Sequence, residues 1–154
     1  QAVTRRSDNR LLAGMNRRRL TAEMLRDSML AVSGELDPSG GPSMNLDDPK
    51  NLRRTIYARI SRKELNAFLR QFDYPDANVH ASGRVTTTTP TQKLFLLNSS
   101  FVAARAAKLA GTLAGQNAGA GVETIFRSVL ARSPNNVERA RALRYLDSSS
   151  VNRD

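Results

Sequence analysis

Two groups of charged residues could do chemistry. The first is Arg17, Arg18 and Arg19 followed by Glu23, Arg26 and Asp27; the second is Asp73 and Asp76 followed by Arg84. Paired carboxylates can share acid–base work or hold a hard cation, and arginines can clamp phosphate or carboxylate through two parallel hydrogen bonds. Each group also has a structural reading. Arg19, Glu23 and Asp27 follow one another at intervals of four, so on a helix they share a face and can pair. Asp73 and Asp76 lack the alternating acids and closing Glu of a calcium loop, and fit a turn whose carboxylates bind backbone N–H groups or arginines. The structural reading is preferred for both. We expect Arg17–Arg19, Arg26 and Arg84 to meet Glu23, Asp27, Asp73 or Asp76 in a partly buried network.

Other constellations are weaker. His80 is the only histidine and has Ser82 and the Thr86–Thr89 run nearby, but no G-x-S-x-G elbow exists. Gly40-Gly41 and the Gly119/Gly121 pair lack the strand before and the Lys-Ser/Thr after that a phosphate loop needs. There is no cysteine. That excludes disulfides, thiolate metal sites and cysteine nucleophiles in this chain, and no cofactor is expected in it. Net charge is +10, carried mostly by arginine, with Lys50, Lys63, Lys93 and Lys108 the only lysines. The charge raises an anionic polymer or nucleic acid as partner, through Arg5, Arg6, Arg10 and Arg17–Arg19. Against this, Phe68, Phe72, Phe95, Phe101 and Phe126 fall on apolar stripes and not on stacking platforms.

The elements that must position these residues are mainly helical. The 154 residues suit one domain, residues 8–147, with flexible ends at 1–7 and 148–154. No apolar run approaches the ~20 residues that span a bilayer. Gln1 in place of an initiating Met reads as a processed or excised segment. Asp8 opens a short helix carrying Leu11, Leu12 and Met15. Thr21 caps the next helix, with Leu25, Met29 and Val32 on its apolar face and Gly34 closing it. Residues 35–53 are a loop. The alternation over 53–60 predicts a strand, paired antiparallel with 42–46. Ser61 and Glu64 form a capping box for a helix carrying Leu65, Phe68, Leu69 and Phe72, which Asp73-Tyr74-Pro75 ends. Thr89, Pro90 and Gln92 open a long helix bearing Leu94, Leu97, Phe101, Val102, Leu109 and Leu113, with a bend at 98–100. A glycine-rich linker over 111–121 leads to a helix with Val122, Ile125, Phe126, Val129 and Leu130, and Ser133-Pro134 to a last helix over 134–147. The fold class is therefore mainly α: an irregular bundle of five or six helices with at most one small β-hairpin. Its core should hold Leu25, Met29, Phe68, Phe72, Leu97, Phe101, Phe126 and Val129.

Four stretches, in order, carry a family resemblance: NRRRLTAEMLRDSMLAVSGELD (16–37), GGPS (40–43), RRTIYARISRKELNAFLRQFDYPDANV (53–79) and RVTTTTPTQKLFLLNSSFVAARAAKLA (84–110). Over roughly residues 8–147 the chain resembles the planctomycete-specific domain of unknown function that follows cytochrome-type domains in large planctomycete proteins. The matching positions are Arg17, Arg18, Arg19, Glu23, Arg26, Asp27, Gly34, Gly41, Tyr57, Phe72, Asp73, Pro75, Asp76, Arg84, Thr87, Pro90, Gln92, Leu97 and Asn98. The segment that usually precedes residue 8 and a closing segment with Trp and an Asn-Glu-Phe pattern are missing. The resemblance implies a large, exported, multi-domain protein, with haem in an upstream domain and other domains of the same polypeptide as partners. It implies no catalytic residue. A structural or interaction module is thus expected. The alternatives are part of an enzyme acting on polysaccharide, completed by upstream residues, and a basic polyanion or nucleic-acid binder.

Overall fold

The computed structural model describes Gly14, Asn16 and residues 18–151. The expected helix after Asp8 lies outside the described residues. Within them the chain is all α: α1 (Ala22–Val32), α2 (Ala67–Gln71), α3 (Pro90–Asn98), α4 (Ser100–Gly111), α5 (Ala118–Leu130) and α6 (Asn136–Val151), with a 3-10 turn at Thr55–Tyr57.

Helix α1 starts where the Thr21 hydroxyl accepts the Met24 N–H, and Glu23 sits in its first turn, where the helix dipole favours an anion. It ends before Gly34, whose φ of 74° is open to glycine at little cost. The buried line down α1 is Ala22, Arg26 and Leu30. Leu25 and Met29 lie half-buried on its shoulders. The expected apolar face was thus rotated by one position, because an arginine occupies the middle of the buried stripe.

The expected hairpin is corrected. Among the described residues 42–46 and 53–60 meet through a single parallel bridge, Met44 to Ala58, beside another between Asp37 and Arg53. Ile56 is 71% exposed. The reason is competition for the backbone. The carbonyls of Asn51 and Arg53 accept from Arg26, and the Thr55 N–H goes to Asp27, so α1 side chains take what a ladder would use.

The capping box at Ser61 is corrected too. The Ser61 hydroxyl does accept the Glu64 N–H at 3.3 Å. The chain then bends, and α2 opens only at Ala67, capped by Asn66, whose side chain accepts the Phe68 N–H at 2.9 Å. The Asn66 amide is itself held by Asp47 at 2.6 Å, which fixes the cap outside the helix path. Asn66→Ala is therefore expected to cost about 1 kcal/mol in urea unfolding, and Ser61→Ala less than about half of that.

At α3 the local signals suffice. Thr89 and Gln92 form a reciprocal capping box, with Pro90 in the first turn. That box turns Gln92 inward, 3% exposed. Phe95 and Leu96, three and four residues on, follow it into the core. Leu97 faces out, 81% exposed, against expectation. At Ser99 ψ swings to 123° and the expected single helix becomes two, α3 and α4. The core itself is Ala22, Leu46, Phe68, Leu69 and Phe72, with Leu25, Leu65, Phe95 and Leu96 packed on it. The Phe68, Phe72 and Phe95 rings meet at 4.9–5.7 Å, tilted or edge-on.

The glycine-rich linker is shorter than expected. Asn117 caps α5 through the Ala120 N–H, and Gly119 and Gly121 lie inside that helix. Asn135 and Glu138 bond each other's backbone N–H at 2.9 Å and start α6. Helix α5 packs on α6. Phe126 and Val129, expected in the core, are not part of the cluster around Phe68, and Val129 is half exposed. Among the described residues no helix is long and apolar enough to cross a membrane.

Candidate functional site

The candidate residues fall into two separate clusters, one at Arg26 and Asp27 within α1 and one at Arg19 and Glu23 around its start, not one network. In the first, Arg26 reaches off α1 into the loop that precedes the 3-10 turn. Its Nη1 donates to the Arg53 carbonyl at 2.9 Å and to the Thr55 hydroxyl at 3.3 Å, and its Nη2 to the Asn51 carbonyl. Next to it, Asp27 accepts the Thr55 N–H at 2.8 Å and the Thr55 hydroxyl at 2.6 Å. Two adjacent helix residues thus grip one short loop through its main chain. Burial pulls the Arg26 guanidinium below its ordinary value; Asp27 opposes this and nearby Arg105 adds to it. Arg53 is buried as well and donates to the Pro42 carbonyl. Gly41 leaves room for its guanidinium, which a Cβ there would strike.

In the second cluster Asp73 ends α2 in the left-handed region, φ 61°. Its carboxylate accepts the Thr87 N–H at 2.8 Å and the Thr87 hydroxyl at 2.7 Å. Buried Gln92 joins it, donating to the Gln71 carbonyl at 2.9 Å. Arg19 closes the cluster by donating to the Thr87 carbonyl, to the Thr88 hydroxyl at 2.7 Å and to Gln92 Oε1 at 2.6 Å. Burial pushes the Asp73 carboxyl up. The Thr87 hydroxyl and N–H, with Arg19 nearby, outweigh it and hold the group below the usual carboxylate range. Beside this cluster Arg84 grips Glu23 with both terminal nitrogens, at 2.8 and 2.6 Å, and stacks 5.1 Å from the Tyr74 ring centre. Burial raises the Glu23 carboxyl, and the Arg84 hydrogen bonds carry it back below its ordinary value.

The remaining candidates lie apart. Arg18 is exposed, and Arg17 lies outside the described residues, as do Arg5, Arg6 and Arg10. Asp76 stays in its own turn, accepting the Asn78 N–H at 2.8 Å. His80 is exposed. Among the described residues no group of three or more His, Cys, Asp or Glu could hold a metal ion.

Several polar residues escaped the sequence reading. Gln92 was read only as a cap, and Asn51, Arg53 and Thr55 as parts of a loop and a strand. Glu35 and Arg105 were not singled out. Arg105 Nε sits 2.7 Å from Glu35 Oε2, and Arg105 Nη2 donates to Glu35 Oε1 at 3.4 Å. Only the capping signal at Gln92 was local; the others are set by distant partners.

Bordering the first cluster at Arg26 and Asn51, a cleft of about 600 Å³ opens between the 46–51 loop, the start of α2 and the α3–α4 junction. Phe68, Phe95 and Phe101 lie along it, with Asp47, Asn98 and Ser100 among its polar residues. A second cavity of about 320 Å³ adjoins it near Arg59 and Ser61. By contrast the space beside Asp73 and Arg84 is about 30 Å³, of the order needed for a single water.

The lowered carboxyls set an acid response. Asp73 and Glu23 are depressed in the fold, and Glu138 falls to about 2 through its bonds with Arg132. A depressed carboxyl adds stability that is fully present above its unfolded value of about 4 and is lost as pH falls through the folded value. Urea midpoints are expected to stay level from pH 7 to about 5 and to drop steadily between about 4 and 2. A midpoint that rises on acidification would contradict these pairings.

No curated protein and no solved structure matches the chain. Residues 1–146 match the family model PSD1, protein of unknown function (DUF1553), and the chain belongs to that family.

Proposed function

We propose that this domain is a structural and interaction module of a large, exported, multi-domain protein of the planctomycete-specific kind. Its described helices run from Ala22 to Val151, and other domains of the same polypeptide, cytochrome-type ones included, are its partners. One observation carries the reading: Glu23, Asp27, Asp73 and Asp76 each accept hydrogen bonds from this chain's own groups, at separate places. Asp27 and Asp73 so engaged hold loops in place, and Asp76 closes its own turn. An enzyme using Asp73 on polysaccharide would need it to face a sugar-sized space together with a second carboxylate, and the space of about 30 Å³ that Asp73 borders cannot hold a sugar ring. The polyanion reading loses Arg19, whose guanidinium binds Thr87, Thr88 and Gln92. Exposed Leu94 and Leu97 on α3, with Val129 and Leu130 on α5, supply apolar surface for neighbouring domains.

The test is amine-reactive cross-linking of the full-length protein. Lys93 and Lys108 are exposed on α3 and α4. Cross-links from them to other domains are expected, and a full-length protein giving none would contradict the module reading.

A further inference from the structure

The cleft of about 600 Å³ carries unmatched negative charge. Two of the arginines on it are already answered: Arg26 has Asp27 at 4.0 Å, and Arg105 pairs with Glu35 at 2.7 Å. In the adjoining chamber Arg59 is set against Glu64. Asp47 and Asp48 are left over, and neither has an ion-pair partner among the described residues. Their hydrogen bonds come from uncharged donors, the Asn66 amide for Asp47 and the Lys50 backbone N–H for Asp48. We propose that this cleft receives the ammonium group of a lysine side chain from another domain of the same polypeptide; the proposal rests on the interaction-module reading and names its partner's chemistry.

A buried acceptor points the same way. Asn51 lines the cleft and is 4% exposed. Its amide nitrogen donates to the Asn45 carbonyl at 2.9 Å and to the Met44 carbonyl at 3.4 Å, which fixes the plane of the side chain. Its side-chain oxygen receives no hydrogen bond among the described residues and is not sealed inside the protein, so it opens on the cleft. An oxygen so placed needs a donor from outside the fold. Ser99 and Ser100 add hydroxyl acceptors across the cleft.

The acceptors select the cation. Among the described residues no group of three or more His, Cys, Asp or Glu could hold a metal ion. A guanidinium presents a planar fork to two oxygens side by side, whereas these acceptors are spread over two carboxylates, an amide and two hydroxyls. An ammonium carries three diverging donors and fits them better. The Phe101 ring offers it no place, because Arg26 and Arg105 already lie 5.4 and 4.9 Å from its centre. Pro49, Phe95 and Ala104 supply apolar wall for the four-carbon stem. The cleft is larger than one side chain and has room for the backbone that carries it.

The excess charge sits at one place, on consecutive residues. A linear polyamine would bring further ammonium groups against Arg26, Arg59 or Arg105, and a lysine brings one. The source is therefore a polypeptide and not a free polyamine.

The probe is an acetylated and amidated pentapeptide, Ala-Ala-Lys-Ala-Ala, titrated into the ¹⁵N-labelled chain. Saturable amide shifts are expected at Asp48, Asn51 and Ser100, with affinity falling roughly threefold or more as salt is raised to screen the pair. The same peptide with norleucine for lysine keeps the stem, lacks the ammonium and is expected to bind roughly tenfold more weakly or worse. Asp47→Asn with Asp48→Asn leaves acceptor oxygens for the Asn66 amide and the Lys50 N–H, and should weaken the lysine peptide by a similar factor. Asp48→Asn alone should weaken it less and keeps the test valid if the double variant does not fold. Absence of saturable shifts overturns the proposal, as does equal binding of the norleucine peptide or binding undiminished in both variants. Spermidine binding tighter than the peptide at the same amides would overturn it in favour of a polyamine site. Inter-domain cross-links without peptide shifts reject the cleft alone; loss of both rejects the module reading with it.

Discussion

Replacing Arg26 by methionine is expected to destabilise the domain by about 3–5 kcal/mol, the range for removing one partner from a buried charged pairing. Arg26 is 2% exposed and is the central residue of the buried stripe on α1. Methionine keeps much of the side-chain volume, so no large cavity accounts for the loss. What goes is the guanidinium that donates to the carbonyls of Asn51 and Arg53 and to the Thr55 hydroxyl. Those carbonyls belong to a loop with no sheet partner among the described residues beyond isolated bridges, so they lose their acceptor role in a buried place. Asp27, with its Oδ1 4.0 Å from Arg26 Nη1, loses its buried counter-charge as well. Lysine should rescue little, since a single ammonium cannot span separate acceptors as a planar fork does. Urea unfolding measures the effect, and a loss below about 1 kcal/mol would show that the loop holds its place without Arg26.

Asp73→Asn is expected to cost about 1–3 kcal/mol. Every close partner of the carboxylate is a donor: the Thr87 N–H, the Thr87 hydroxyl and, at 3.5 Å, the Gln92 amide. Asparagine can keep its oxygen on the Thr87 N–H and turn its NH₂ to the Thr87 hydroxyl, which then accepts, so the loss is that of the negative charge that strengthens these bonds and faces Arg19. The backbone is not the cause, because asparagine tolerates the left-handed φ of 61° at least as well as aspartate. The same substitution separates the two readings of this residue. A ligand-binding carboxylate would leave the unfolding midpoint in place and remove binding. A loop-holding one moves the midpoint.

The parts of this fold legible in the sequence were those settled within one turn of chain. Thr21, Gly34, Thr89, Pro90 and Gln92 act where their neighbours said they would, because a cap needs only the next three or four residues. Alternation over 53–60 misled because strand patterning assumes a free backbone, and here Arg26 and Asp27, some 25 to 29 positions away, claim it. Leu97 was assigned to the core by helical spacing from Leu94, yet the inward turn of Gln92 rotated both away. Candidate site residues were findable by type and spacing, since arginine and carboxylate beside helix ends must be paired or solvated. Their partners were not. Thr55, Thr87 and the carbonyls of Asn51 and Arg53 carry no composition signal, and only the folded chain brings them within 3 Å.

The central claim is that Asp27 and Asp73 hold two loops to the helices by accepting backbone N–H groups. Hydrogen exchange at the Thr55 and Thr87 amides under native conditions tests it most directly. Both amides lie at or outside the ends of α-helices and would exchange readily if only transiently bonded. The account predicts slow exchange at both, with Asp27→Ala releasing Thr55 alone and Asp73→Gly, which keeps the left-handed backbone open, releasing Thr87 alone. Fast exchange of both amides in the unmodified protein would contradict it.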